Sequence, residues 1–159
     1  MWKNRHMKKL LSILVLFFSA NLYADSMISI EQYVNDKGNN PKDPIVQTYV
    51  LKRCASAYLY TASITTRDKD MVDNLTKAYK KVAIRAAEIL MQKLNWTEEV
   101  AGKSIKTDIT NMLNFYEKDG NESFAKDGTY IMNNYIGNDV KFCKGIVESI
   151  KWKNILDIL

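Results

Sequence analysis

The sequence predicts an all-α protein, built as a single bundle of four main helices with additional short helices. Three observations predict this class. Apolar residues recur at spacings of three and four along several long segments, and residues that cap helices well stand where most of these segments begin. No segment alternates strictly between apolar and polar residues, as a half-buried strand would. The chain also carries no internal repeat and no low-complexity tract.

The first 24 residues have the pattern of a secretory signal peptide. An apolar run covers residues 10–20, and Ala24 is the small residue before the predicted cut. A membrane-spanning helix needs roughly 20 apolar residues, so the short run favours cleavage near Ala24 over an uncleaved anchor. We therefore expect a periplasmic or secreted product, without stable membrane insertion, whose helical domain covers residues 25–159. The basic residues that precede the apolar run are Lys3, Arg5, Lys8 and Lys9.

Cleavage changes the charge of the chain. The full sequence has 23 basic and 18 acidic residues, and removal of the four basic residues of the leader leaves 19 against 18. The remaining lysines are interleaved with acidic residues, which is typical of a solvated surface of mixed sign. The sequence therefore gives no support to nucleic-acid binding.

Residues 25–40 predict a short helix followed by a loop. Two turns of apolar spacing come after Asp25 or Ser26, either of which suits the N-cap. Residues 35–41 are rich in Asn, Asp, Gly and Pro, a composition typical of loops. The apolar positions of the short helix are Met27, Ile28, Ile30, Tyr33 and Val34.

The bundle is predicted over residues 43–152. Asp43 as N-cap and Pro44 at the first helical position start the first main helix, which we expect to end near Ile64. Asp68 or Thr66 caps the second main helix, an amphipathic segment that ends near Asn95.

The second half of the bundle is predicted to be less regular. Thr97 caps the third main helix, which ends at the turn-like residues 118–121. A short turn of helix, a break and another short helix are expected over residues 122–136. The last main helix runs from about Asp139 to Trp152, and an apolar tail at residues 153–159 folds back on the body.

Two cysteines, Cys54 and Cys143, lie on the first and the last predicted main helices. An even number of cysteines in an exported chain indicates a disulfide, which would join these two helices. Two free thiols, or a bond between two chains, are the alternatives. The sequence has no C-x-x-C motif, so thiol–disulfide catalysis has no support.

The residues left after cleavage exclude most common catalytic sites. His6, the only histidine, lies in the leader, so histidine-dependent nucleophiles, bases and zinc sites are not expected. No phosphate-binding or dinucleotide-binding glycine motif occurs, and we predict no catalytic residue, metal or cofactor. Asp108 is the one carboxylate on an apolar helix face, where burial would favour an acid catalyst. It could equally cap a helix or pair with Arg53.

One string combines small and aromatic residues: Arg53-Cys54-Ala55-Ser56-Ala57-Tyr58-Leu59-Tyr60. The spacing places Tyr58 in the core with Cys54, four residues earlier. Tyr60 points to a different face, and with Tyr49 and Trp96 it is a candidate for an exposed aromatic interface. The favoured interpretation is that these three aromatics are core residues or scattered surface residues.

Three features of the sequence resemble small exported α-helical bacterial proteins with two cysteines. They are the leader, the motif Arg-Cys-Ala-x-Ala-Tyr on an early helix and the motif Phe-Cys-Lys-x-x-Val-Glu on the last helix. The outline is distantly similar to the periplasmic immunity proteins that neutralise type VI secretion effectors. That resemblance implies a disulfide between an early and a late helix. It carries no effector-binding residue over to this chain.

These observations predict an exported, non-enzymatic protein-binding module of the bacterial envelope, of which an immunity-type inhibitor is one form. Its partner is an unidentified protein. The alternatives are a periplasmic stress chaperone or a helical protein that binds a small ligand. An enzyme that uses carboxylates is a third alternative.

Overall fold

A computed structural model describes residues 27–37, 40, 42–65, 67–132 and 134–149, and over these residues the protein is all-α. The predicted signal peptide and the predicted tail lie outside the described residues. None of the helices in the described ranges is long and apolar enough to cross a membrane. The helices are α1 (Ile30–Asp36), α2 (Pro44–Ile64), α3 (Lys69–Leu94), α4 (Glu98–Asp127) and α5 (Tyr135–Ser149).

The predicted N-caps hold for three helices. The side chains of Asp43, Asp68 and Thr97 accept hydrogen bonds from the free N–H groups at the starts of α2, α3 and α4. The predicted cap of α1 is wrong, because α1 starts at Ile30 and its cap is Ser29, whose hydroxyl accepts the N–H of Gln32. Each helix start thus satisfies a backbone donor that has no partner inside the helix.

Helix α2 is the centre of the bundle. It packs against each of the other four helices, and 13 of its 21 residues are buried. Burial on nearly every side explains why α2 lacks a single apolar stripe, whereas α3 presents one face to it. The buried residues of that face are Val82, Ala86, Ile89 and Leu90.

The predicted disulfide is confirmed. Cys54 on α2 and Cys143 on α5 are bonded, both are fully buried, and their Cα atoms lie 5.3 Å apart. The bond closes a loop with a sequence separation of 89 residues. On the chain-entropy account, a loop of that length stabilises the fold by about 4–5 kcal/mol. The first and the last main helices are therefore covalently joined at the core.

Two predicted boundaries in the second half are wrong. Helix α4 continues through residues 118–121 to Asp127 and ends at Gly128, whose positive φ of 71° forms the C-cap. Helix α5 starts at Tyr135 rather than Asp139, because the side chain of Asn134 accepts the N–H of Ile136 at 3.0 Å. Residues 122–127 are thus the end of a 30-residue helix and not a separate short one.

Gly120, one of the turn-like residues, lies inside α4 and has a packing role there. The ring of Tyr60 from α2 lies directly against this glycine. A Cβ atom at position 120 would lie 1.7 Å from the Tyr60 hydroxyl oxygen and 2.6 Å from ring atom Cζ. The glycine serves close packing between α2 and α4 and does not end the helix. The Tyr60 hydroxyl is buried there with no hydrogen-bond partner among the described residues.

We predict that Gly120→Ala lowers the free energy of unfolding by about 1–3 kcal/mol, because the added methyl group displaces a buried ring. Tyr60→Phe alone removes a hydroxyl that makes no hydrogen bond, so it should change stability by less than about 0.5 kcal/mol. The double variant should be more stable than Gly120→Ala, since the closest clash is gone. Urea denaturation measures all three. A Gly120→Ala protein as stable as wild type would contradict this packing.

Candidate functional site: a groove between α3 and α5

The position of α5 depends on one buried carboxylate, that of Asp139. Both Asp139 and Arg53 on α2 are fully buried, and the Nη2 of Arg53 forms an ion pair with Oδ2 of Asp139. The hydroxyl of Tyr116 on α4 donates to the same oxygen at 2.6 Å. The backbone N–H of Ile30 at the start of α1 donates to Oδ1 at 2.7 Å. The carboxylate thereby joins α1, α2, α4 and α5.

Three tyrosines surround the Arg53 guanidinium. The hydroxyls of Tyr49 and Tyr116 accept hydrogen bonds from it at 3.2 and 3.3 Å, and the ring centroid of Tyr135 lies 5.6 Å from Cζ. Burial alone would lower the pKa of Arg53, but Tyr116 and Asp139 raise it above its ordinary value. A charged, hydrogen-bonded guanidinium within a box of rings is a favourable arrangement for a buried cation.

Helix α5 is held at three successive positions of one face. Asp139 forms the ion pair, Cys143 forms the disulfide, and the carbonyl of Val147 accepts a hydrogen bond from Nζ of Lys81 on α3 at 2.8 Å. These residues are four apart, so they succeed one another along the same side of the helix. The chain therefore fixes the position and the tilt of α5.

A groove of about 810 Å³ lies between α5 and the N-terminal half of α3. Its lining residues on α3 all precede Lys81, so the contact between Lys81 and Val147 closes one end. The volume is in the range of protein ligand sites, which is roughly 300–1,000 Å³. The lining is apolar at Met71, Leu75, Ala78, Val140 and Val147, and polar or charged at Asp68, Asp70, Asn74, Lys141, Lys144 and Glu148.

Tyr58 of α2 lies at the bottom of the groove. The side chain is almost completely buried, as the sequence predicts for a core residue, with 4% of the residue exposed. Its hydroxyl forms no hydrogen bond with another described residue. Burial, and next the charge of Glu148, raise the pKa of Tyr58 to about 12. At neutral pH this hydroxyl is therefore an unused donor and acceptor at the bottom of the groove.

The two walls of the groove carry opposite net charges, with the exposed carboxylate of Glu148 beside the lysines of the α5 wall. Asp70 is exposed on the α3 wall, and Lys141 and Lys144 are exposed on the α5 wall. None of these three forms an ion pair with another described residue, unlike the exposed Lys69–Asp73 pair beside them. Asp68 adds a second carboxylate to the α3 wall, and its side chain also caps α3. The walls thus present unpaired charge beside an apolar floor.

Two other cavities lack this combination. One, of about 710 Å³, lies beside the residues before α1 and the start of α5, and no charged side chain lines it. The other is smaller, about 270 Å³, and is lined by apolar residues of α1, α2, α3 and α5 together with Gln47 and Arg85. Of these three cavities, the α3–α5 groove has side chains of both charges beside its apolar floor.

The structure does not bring together the predicted interface residues Tyr49, Tyr60 and Trp96. Tyr49 is half-buried and stacks on Tyr33, with ring centroids 3.9 Å apart. Tyr60 is 2% exposed and packs with Tyr116, so it is a core residue and its candidate role in an exposed interface is wrong. Trp96, between α3 and α4, is 37% exposed. An exposed patch formed by all three is therefore not present.

Asp108 does not pair with Arg53, as one alternative for it supposed. Its Oδ2 lies 2.5 Å from Nζ of Lys52 and also accepts the hydroxyl of Ser104 at 3.3 Å. Sequence reasoning missed Asp139 as the partner of Arg53. A signal was present, since Asp139 precedes Cys143 by four residues and Arg53 directly precedes Cys54. A disulfide between these cysteines implies that the two charges approach each other.

Comparison with family models, curated proteins and solved structures gave no match, so the function rests on the site alone. Within the described ranges, no three histidine, cysteine, aspartate or glutamate residues lie together as metal ligands would. The groove offers a ligand apolar contact, charged side chains on both walls and a tyrosine hydroxyl.

We predict that Arg53→Met lowers the free energy of unfolding by about 3–5 kcal/mol, because Asp139 is left buried without its cation. Adding Asp139→Leu should recover much of this loss, since an apolar pair can replace a buried ion pair. The control is Lys69→Met, which breaks an exposed, solvent-screened pair and should leave the stability nearly unchanged. Chemical denaturation measures each variant. An Arg53→Met protein as stable as the control would contradict this role of the ion pair.

We also predict a loss of stability at alkaline pH. Burial raises the pKa of Tyr58 and of Tyr60 to about 12, and it raises those of Tyr116 and Tyr135 further. An unfolded tyrosine has a pKa of about 10. The stabilisation is therefore fully present below about pH 10 and is lost as the pH rises through about 12. During an alkaline titration, the phenolate absorbance should show that these four tyrosines ionise only at the pH at which the helical circular dichroism signal is lost. Ionisation of every tyrosine near pH 10 with the helices intact would refute this.

Proposed function

We propose that this protein is a non-enzymatic binding module of the bacterial envelope, which holds a segment of a partner protein in the α3–α5 groove. The observation that carries the proposal is the make-up of the groove. It joins an apolar floor, an unpartnered Tyr58 hydroxyl and unpaired charges on both walls. Buried apolar contact with a polar rim is the usual anatomy of a protein-binding site.

The support behind the groove also favours a binding role. The α5 wall is held by a disulfide, a buried ion pair and the hydrogen bond from Lys81. A wall that is fixed before binding loses little conformational entropy on binding, so more of the contact energy contributes to affinity. This arrangement fits a protein that binds one partner tightly better than it fits a chaperone with an adaptable surface.

The envelope location is supported by the leader pattern and by the disulfide. Buried disulfides of this kind form and persist in oxidising compartments, among them the bacterial periplasm. An immunity-type inhibitor is the concrete form that the resemblance of residues 53–58 and 142–148 suggests. In that form, occupation of the groove would block the activity of the bound partner.

Site-specific photo-crosslinking in the intact envelope tests the proposal. A photoreactive amino acid at Asn74 or Lys141, on the two walls, should give one dominant adduct with the same partner protein. The same amino acid at Lys106 or Asn111, exposed on α4 away from the groove, should not give that adduct. Equal adducts from both pairs of positions, or none from the groove, would overturn the proposal.

Two substitutions at equally exposed apolar residues, one in the groove and one on α4, test whether the groove binds the partner. Met71 on the groove and Phe115 on α4 are both 43% exposed. Met71→Lys should weaken binding of the crosslinked partner at least about tenfold, because a charge replaces an apolar contact of the floor. Phe115→Lys should leave it unchanged. Titration calorimetry with the purified partner measures both, and equal effects of the two substitutions would contradict the site.

A further inference from the structure

We infer that the segment bound in the α3–α5 groove is an amphipathic helix with one basic flank and one acidic flank. The inference rests on the proposed function, because it takes the occupant to be part of a protein. It adds the conformation and the charge pattern of that occupant. Both are derived from the spacing of the lining residues and from the signs of the two walls.

The spacing of the lining residues fits a helix. On α3 the apolar residues Met71, Leu75 and Ala78 stand at intervals of four and three, and on α5 the interval between Val140 and Val147 is seven. Each wall is thus a helical ridge, and a third helix packs its own ridges between two such walls. Two turns of helix, about 10 Å wide and 11 Å long, occupy roughly 850 Å³. The groove holds about 810 Å³.

The charges decide what the flanks of that helix carry. Asp68 and Asp70 make the α3 wall acidic, and Lys141 and Lys144 outnumber Glu148 and leave the α5 wall with a net positive charge. A bound helix therefore places lysine or arginine against α3 and aspartate or glutamate against α5. The bottom of the groove is nearly dry at Tyr58, so the stripe between the flanks is apolar, with one polar group within reach of the Tyr58 hydroxyl.

Two synthetic helical peptides of equal composition provide the probes. Both carry the same apolar stripe, but one has all its lysines on one flank and all its glutamates on the other. The second alternates lysine and glutamate along both flanks. A peptide with the two charged flanks exchanged would be no control, because it could bind in the opposite direction and match the walls again. Alternating charges do not match the charges of the walls in either direction.

The full-length protein should bind the peptide with separated charges about tenfold more tightly than the alternating one at low salt, as several exposed ion pairs together permit. The preference should disappear at 1 M salt, where the screening length is about 3 Å. Fluorescence anisotropy of labelled peptides measures both affinities. Equal binding of the two peptides at low salt would overturn the inference.

Charge variants separate the walls from the overall charge. Lys141→Glu with Lys144→Glu makes both walls acidic and should abolish the preference. Adding Asp68→Asn, which can still cap α3, together with Asp70→Lys restores walls of opposite sign and should restore the preference, with the peptide reversed. The control, Lys103→Glu with Lys106→Glu on α4, changes the net charge by the same amount away from the groove and should keep the preference.

The outcomes also separate this inference from the proposed function. The inference of a helical occupant with divided charges is wrong if neither peptide binds. It is also wrong if the α4 control variant loses the preference as the Lys141 and Lys144 variant does. Crosslinks from Asn74 and Lys141 to a partner would still support a protein-binding groove in that case. If those crosslinks are absent as well, the proposed function fails with it.

Discussion

The carboxylate of Asp139 is the interaction on which the rest of the structure depends. It accepts hydrogen bonds from Arg53, Tyr116 and the backbone of Ile30, and so it joins α5 to α2, α4 and α1. A buried carboxylate is tolerated only when cations and donors surround it, which fixes the geometry of every helix that contributes one. The neighbouring disulfide to Cys54 holds α2 and α5 together covalently.

This arrangement explains where the groove lies. Helix α5 crosses the central helix with Asp139 and Cys143 turned inward, and the carbonyl of Val147 meets Lys81 of α3. The N-terminal half of α3 is left uncovered beyond that contact, and the space between the two helices becomes the groove. Asp139 and Cys143 hold α5 on the bundle and do not line the groove, whereas Val147 both holds α5 through its carbonyl and lines the groove.

The sequence predicts the parts of the fold that depend on local chemistry. Asp43, Asp68 and Thr97 can be recognised as caps because each directly precedes an apolar segment of helical period, and the pairing of two cysteines leaves one intramolecular choice. Gly120 shows the limit, since its effect on α4 depends on the ring of Tyr60, which belongs to another helix. The partner of Asp139 and the pairing of the two groove walls cannot be predicted from the sequence either. Periodicity places a residue on a helix face but does not say which helix that face contacts.

The central claim is that α5 is fixed on the bundle before anything binds, so that the groove is preformed. Native-state hydrogen exchange of the disulfide-bonded protein measures this most directly, because it gives the free energy of opening for each amide. We expect the amides around Cys143 in α5 to exchange only with global unfolding, as those around Cys54 in α2 do. Exchange of the α5 amides through a local opening of much lower free energy, while α2 remains protected, would contradict the claim.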